Sequence, residues 1–308
     1  MSQRSSSLMR GLTAGVMAIG IGLLSVSLSA QDKKRTVYAS VLDKDAKPIT
    51  DMQAADFELK DGGKIQEISV KRATESLRIS VLIADWGTGS FQAGLQRFME
   101  PLLGHAEFQL TSLLPQPIKV MNWAYDPASL SAGLAKIGSR GRQQGAQLLE
   151  SILEESKTVR GSSKRPVILV LRIGSEGIST LPGNTVREEL RKSGAILSVL
   201  NLGVRTSATD SVAGGTAAGQ QGRFQDMEQK DSAFALAQVL GDGSRESGGR
   251  NEQVISTTLT TILASMSEDL LNQYEISYTS TSDKPGEKIA VASKRKNVTL
   301  RAPTYARY

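Results

Sequence analysis

Residues 78–85 read RISVLIAD, and residues 165–177 read RPVILVLRIGSEG. Both stretches are apolar without alternation and rich in Val and Ile. Runs of that kind fit strands buried on two faces, which occur in parallel sheets covered by helices on both sides. The segments between and after them alternate in character. SFQAGLQRFMEPLL (90–103) places Phe91, Leu95, Phe98, Met99 and Leu102 at helical spacing. AEFQLTSLL (106–114) and IKVMNWAYD (118–126) read as strands. PASLSAGLAKIG (127–138) and GAQLLESILEESK (145–157) read as amphipathic helices, the first with proline near its start. NTVREELRKSG (184–194) is a helix closed by Gly194, and AILSVLNLG (195–203) is another buried strand. Strand–helix alternation of this kind predicts an α/β fold with an open, mainly parallel sheet.

The flanks have a different grammar. In residues 35–73, Val37, Ala39 and Val41 alternate with Tyr38, Ser40 and Leu42, and ADFELKDGGKIQEISV places two short strands around Asp61-Gly62-Gly63, a hairpin signal. Residues 274–305 return to β structure. The two β segments, 31–77 and 274–308, are each too small to fold alone, so pairing with each other is expected. Between them, 78–273 forms the α/β domain. Residues 203–231 are rich in Gly, Ala, Ser, Thr and Gln and read as a flexible insert. A helix follows with Asp231 or Ser232 as its cap, then a longer one from about Asn251 to Tyr274, capped through Asn251.

Residues 1–30 contain Arg4 and Arg10, an apolar run from Leu12 to Val26, and small residues ending at Ala30. This is the pattern of a secretory signal peptide, cleaved after Ala30 or Ser29. The alternative is an uncleaved anchor, for which the run is short. The expected protein is exported to the periplasm or beyond, with no membrane span after cleavage. The 308 residues include 37 basic and 31 acidic side chains, and removal of 1–30 leaves a charge of +4. That mild excess does not argue for nucleic acid. The one basic cluster, Lys294 to Lys296, fits a solvated edge or turn. There is no cysteine, which excludes cysteine nucleophiles, zinc–thiolate sites and iron–sulfur clusters. The one histidine, His105, sits in a helix-to-strand turn and reads as a surface residue.

The first strand ends in Asp85, followed by WGTGS. A strand's carboxyl end is where α/β proteins place ligands. The loop has no GK[ST] and no GxGxxG, so a phosphate site is disfavoured. A tight turn fits as well, with Ser90 as helix cap and Asp85 bonded to local backbone. Trp86 and Trp123 are both expected near the carboxyl edge, and an exposed Trp86 would suit a protein contact.

This order of elements resembles the von Willebrand factor A domain. More specifically it resembles the acidobacterial family of secreted proteins with a von Willebrand factor A-related domain. The flanks bear the likeness: DKDAKPITDMQAADFELKDGGKIQEI, SEDLLNQYEISYTST and VTLRAPTY. The resemblance implies a von Willebrand factor A-like doubly wound sheet with a small β subdomain, an exported non-catalytic protein, and binding of other proteins. It also implies a cation site, with the pattern D-x-S-x-S after the first strand, a threonine further on, and an aspartate after the fourth strand. Asp85 fills the first position. The two serine positions fall on Gly87 and Gly89, the threonine on Ala146 and the second aspartate on Ile173. The site therefore reads as degenerate, and no metal or other cofactor is expected. If a magnesium ion does bind, a shifted set of Asp85, Ser90 and Glu176 would hold it, with Thr88 a further hydroxyl. The partner-binding candidates are Asp85, Trp86, Thr88, Ser90 and Gln144. A third class, an exported hydrolase, would need a carboxylate pair drawn from Asp85, Asp126 and Glu176.

Overall fold

The computed structural model describes residues 33–85, 88–114, 116–137, 147–174, 179–203, 230–280 and 287–306. The leader and most of the 203–231 insert lie outside this range. Among the described residues the centre of the fold is a six-stranded sheet. Its strands are β5 (Leu77–Ala84), β6 (Ala106–Ser112), β7 (Ile118–Ala124), β8 (Arg165–Ile173), β9 (Ile196–Leu202) and β10 (Asn251–Val254). Their order across the sheet is β10-β9-β8-β5-β6-β7, and only β7 runs antiparallel. The chain lays down β5, β6 and β7 in one direction, then returns to the other side of β5 with β8. That reversal between β5 and β8 is the switch point of a doubly wound fold.

The continuous apolar runs follow from this placement. Along β8, Val167, Leu169 and Leu171 belong to one buried cluster, and Ile168 and Val170 to the other. The first cluster is completed by α1 (Gln92–Met99), α2 (Pro127–Ala135) and the helix Ser256–Leu271. The second is completed by α3 (Leu148–Val159), α4 (Gly183–Ser193) and the helical stretch 230–246. A strand with helices on both faces has no polar side to alternate with.

The flanking β segments pair with each other. β1 (Lys33–Leu42) runs antiparallel to β11 (Tyr274–Ser280), from Lys33↔Ser280 to Ala39↔Tyr274. β4 (Ile68–Arg72) and β13 (Thr299–Arg301) complete that sheet. β2 (Phe57–Asp61) pairs with β3 (Lys64–Ile65) and with β12 (Ile289–Ser293). Gly62 and Gly63 make the β2–β3 turn with φ of 56° and 82°, a left-handed pair that suits a two-residue hairpin. The second strand of the expected hairpin is split into β3 and β4. The phenol of Tyr274 pins the turn after β1, donating to Ile49 O at 2.9 Å and accepting from Met52 N at 3.0 Å.

Buried arginines join this subdomain to the α/β core. Arg165, 4% exposed, donates from Nε to Glu75 O (2.9 Å) and from Nη1 to Leu270 O and Gln273 Oε1 (both 3.0 Å). Its guanidinium lies 5.5 Å from the centre of the Tyr38 ring. Arg250 and Arg301 both bond Asp269 Oδ2, at 2.7 and 3.1 Å.

Three expectations are corrected here. Residues 251–254 are not the first turn of a helix; they form β10, paired in parallel with β9, and the helix starts at Ser256 and ends at Leu271. Tertiary pairing decides this: Val199 N–H donates to Arg250 O at 2.7 Å, and Gly203 N–H to Val254 O at 2.9 Å. Asn251 accordingly accepts from the Asn201 side chain instead of capping a helix. Gly249 makes the pairing possible, because a Cβ there would sit 2.0 Å from Leu197 O. Second, residue 230 is already helical, so Asp231 and Ser232 lie inside that helix; the Ser232 hydroxyl accepts from Ser179 N–H at 3.0 Å. Third, β7 is antiparallel, with Phe108↔Ala124 at one end and Ser112↔Ile118 at the other. Trp123 and Asp126 therefore lie at the amino edge of the sheet, opposite Asp85. Trp123 stacks there on Arg78, 4.2 Å from guanidinium carbon to ring centre.

Two substitutions test this architecture by urea unfolding. Leu169→Ala removes a fully buried side chain from the central strand and is expected to cost about 2–5 kcal/mol. Gly249→Ala is expected to destabilise the protein as well, because its Cβ meets the backbone of β9 and not a movable side chain.

Candidate functional site

The carboxyl ends of β5 and β8 form the candidate interface. Adjacent strands there end in Asp85 and Arg172-Ile173, with Ala84 directly opposite Arg172. Asp85 is 6% exposed. Its Oδ1 accepts from Thr88 N–H at 3.0 Å and from the Thr88 hydroxyl at 2.7 Å. Thr88 Oγ1 and Ser90 Oγ are hydrogen-bonded at 2.6 Å, and Ser90 N–H donates to Thr88 Oγ1 at 3.2 Å. Asp85, Thr88 and Ser90 thus form one oxygen-rich cluster in the β5–α1 turn. Asp85 bonds local backbone, as a tight turn requires. Ser90 does not cap α1; its hydroxyl is held by Thr88, and α1 begins after Phe91 without a side-chain cap. Thr88 and Ser90 are exposed, while Asp85 Oδ2 is buried without a hydrogen-bond partner.

Sequence reasoning missed Arg172. It is 5% exposed; its Nε donates to Gly174 O at 3.1 Å, and its Nη2 has no partner. Burial pushes the guanidinium below its ordinary pKa. Side chains alternate along β8, so Arg172 projects toward the α3–α4 face with Ile168 and Val170. The only signal for it was an arginine inside an otherwise apolar strand. Gln92 was also missed: its side-chain amide donates to Leu134 O (3.2 Å) and Ile137 O (2.8 Å), tying the start of α1 to the end of α2. On the other face, the Ser179 hydroxyl donates to Glu150 Oε1 at 2.7 Å, joining α3 to the approach of α4.

The remaining candidates divide as follows. Trp86, Gln144 and Glu176, and the Gly87 and Ala146 positions, lie outside the described residues. Ile173 is half-buried at the end of β8. Asp126 is the cap of α2, accepting from Ser129 N–H at 2.8 Å, a bond that holds its carboxyl below the usual range. It cannot pair with Asp85. Ala124 is level with Ile79 across β6, and Asp85 lies six residues farther along β5, roughly 20 Å away at strand rise. His105 is exposed in its turn. Among the described residues no three acidic, histidine or cysteine side chains gather where they could hold a metal ion. No helix among them is long and apolar enough to cross a membrane.

No protein-family model matches this chain, and no curated protein sequence does either. Among solved structures, the chain is similar to the SpRpn10 VWA domain, at 10% identity over 61% of this chain and 94% of that one, with a TM-score of 0.37. The conserved hypothetical protein BatB from Bacteroides thetaiotaomicron is 12% identical over 63% of this chain and 98% of its own (TM-score 0.39). A von Willebrand factor type A structure from Catenulispora acidiphila is 10% identical over 88% of this chain and 74% of its own (TM-score 0.38). Each is a likeness of fold and says nothing of what this chain binds. The class itself stands on the chain's own topology: α/β, doubly wound and mainly parallel, with small antiparallel sheets from the flanking segments.

Asp85→Asn tests the state of the cluster. It keeps the acceptor for Thr88 and replaces the buried carboxylate oxygen Oδ2, which has no hydrogen-bond partner. The expected result is an unchanged or raised melting temperature. A fall of several degrees would mean that the ionised carboxylate is stabilised by a group it binds.

Proposed function

We propose that this protein is an exported, non-catalytic protein-interaction or scaffolding module that binds its partner without a metal ion, in the manner of the secreted von Willebrand factor A-related family it resembles. The observation behind this reading is the make-up of the switch-point site. A magnesium ion asks for near-octahedral oxygen ligands at about 2.0–2.1 Å. The β5–α1 turn supplies one carboxylate and two hydroxyls, already bonded to one another. The adjacent strand contributes a fixed positive charge, Arg172, to the same edge. A rigid sheet whose carboxyl edge carries loops remains a good platform for protein contact. The absence of catalysis is supported by the separation of Asp85 from Asp126, which removes one of the carboxylate pairs a hydrolase would use. Export is supported by the signal-like residues 1–30.

A second reading is favoured by one feature. Asp85 Oδ2 is buried and unpartnered beside two hydroxyls, which suits a remodelled cation site. Calorimetry separates the two. Titration of magnesium and manganese to millimolar levels is expected to give no saturable heat. Capture of partners from the native envelope fraction is expected to be the same with and without a chelator. Saturable heat abolished by Asp85→Ala, with chelator-sensitive capture, would establish the cation-dependent module instead.

A further inference from the structure

A small cavity of about 20 Å³ lies where β1, β9 and the helix Ser256–Leu271 meet, and the reading above does not use it. Val167, Leu169 and Met266 give it apolar walls, while Ser40, Ser198 and Asp269 bring oxygen to it. These three polar residues come one from each element, and they are 3%, 5% and 8% exposed. Their hydrogen bonding is incomplete in a complementary way. Asp269 Oδ2 accepts from Arg250 Nη2 at 2.7 Å and from Arg301 Nη1 at 3.1 Å, while the buried Oδ1 accepts from nothing. Ser40 Oγ accepts from Gln273 Nε2, and Ser198 Oγ from Arg250 N–H, both at 3.3 Å. Among the described residues neither hydroxyl donates, although each has a proton to give. The cavity is therefore lined by one acceptor in need of a donor and two donors in need of an acceptor.

We propose that this cavity is a site for a single structural water molecule. The water donates to Asp269 Oδ1 and accepts from the Ser40 and Ser198 hydroxyls, three bonds in all, which is the usual number for a buried water. Size limits the occupant. A water needs roughly 10–15 Å³ of such space, so the cavity admits one and excludes organic molecules. Charge points the same way. The guanidiniums of Arg250 and Arg301 are matched by the carboxylates of Asp269 and Glu252, the latter 3.6 Å from Arg250 Nη1, so no net charge in the cluster selects an ion. Ser40 belongs to the β subdomain, and Ser198 and Asp269 belong to the α/β core. The water is thus a bridging element of the seam between them, and it gives the acid the partner that its second oxygen otherwise lacks.

The test is a high-resolution crystal structure of the full chain, grown with bromide in place of chloride, together with magnetic relaxation dispersion of water in solution. One density peak is expected, about 2.5–3.0 Å from Asp269 Oδ1 and from both serine hydroxyls, with no anomalous bromide signal. Ser40→Val puts a methyl into the cavity where the hydroxyl donor stood. It is expected to abolish the peak and to lower the dispersion amplitude by the contribution of one long-lived water. If Ser40→Val does not fold, Ser198→Ala removes the other donor without adding bulk, and it should lower the same amplitude by shortening the stay of the water. Arg97→Gln, on the exposed face of α1, should change neither readout. A cavity without a peak overturns the proposal, because it would then be dry. A bromide signal in place of the water overturns it as well, since the site would then take an anion. So does a dispersion amplitude that the folded serine variant leaves at the wild-type value.

Discussion

The parallel pairing of β5 with β8 is the constraint on which the rest of the structure depends. It runs in register from Leu77↔Arg165 to Ala84↔Arg172. Both strands are covered on both faces, so both must be apolar throughout, and each fully buried aliphatic side chain adds roughly 1.5–3 kcal/mol by leaving water. The same pairing fixes both ends of the site axis. At one end it places Asp85 beside the last residues of β8. At the other it places Arg165 where it can reach Glu75, Leu270 and Gln273. A slip of one residue would turn the two apolar faces over and separate both sets of contacts.

The switch point is defined by position, and its chemistry is decided by which side chains arrive there. Asp85 arrives with a hydroxyl relay of its own, through Thr88 to Ser90. Arg172 arrives one strand over, buried and bonded only to Gly174 O among the described residues. The two do not pair, because alternation along adjacent strands sends Arg172 to the α3–α4 face while Asp85 is drawn into the β5–α1 turn by Thr88. Buried groups of opposite charge that fail to meet are costly. The presence of both here is what separates this edge from an ordinary strand-to-helix turn.

How much of this was legible depends on which interactions are local. The apolar run VILVLRI announces a doubly covered strand, and the Gly-Gly hairpin and the Gly194 helix end are local as well, so all were readable. The direction of β7 was not. IKVMNWA has the same alternation whichever way it runs, and that direction moves Trp123 and Asp126 from one edge of the sheet to the other. β10 was also hidden. Val254 fits the apolar stripe of the following helix as well as it fits a strand, and only the exposed backbone of β9 decides between them. At the site, Asp85, Thr88 and Ser90 could be read because they share one turn. Arg172 could not, because nothing in sequence distinguishes a buried arginine at a strand's end from one at its solvated edge.

The charged groups of the sheet are distributed unequally between its ends. At the amino end and along the seam with the β subdomain, the buried cations are engaged: Arg165 by carbonyls and Gln273, Arg250 and Arg301 by Asp269. Breaking such a buried network strands its remaining members without partners, at about 1–3 kcal/mol for each polar group left unsatisfied. That end resists change. At the carboxyl end the buried cation Arg172 has, by contrast, a single bond, to Gly174 O, among the described residues. This difference between the buried cations, more than any single motif, supports the proposal that the carboxyl edge and not the seam carries an interaction surface.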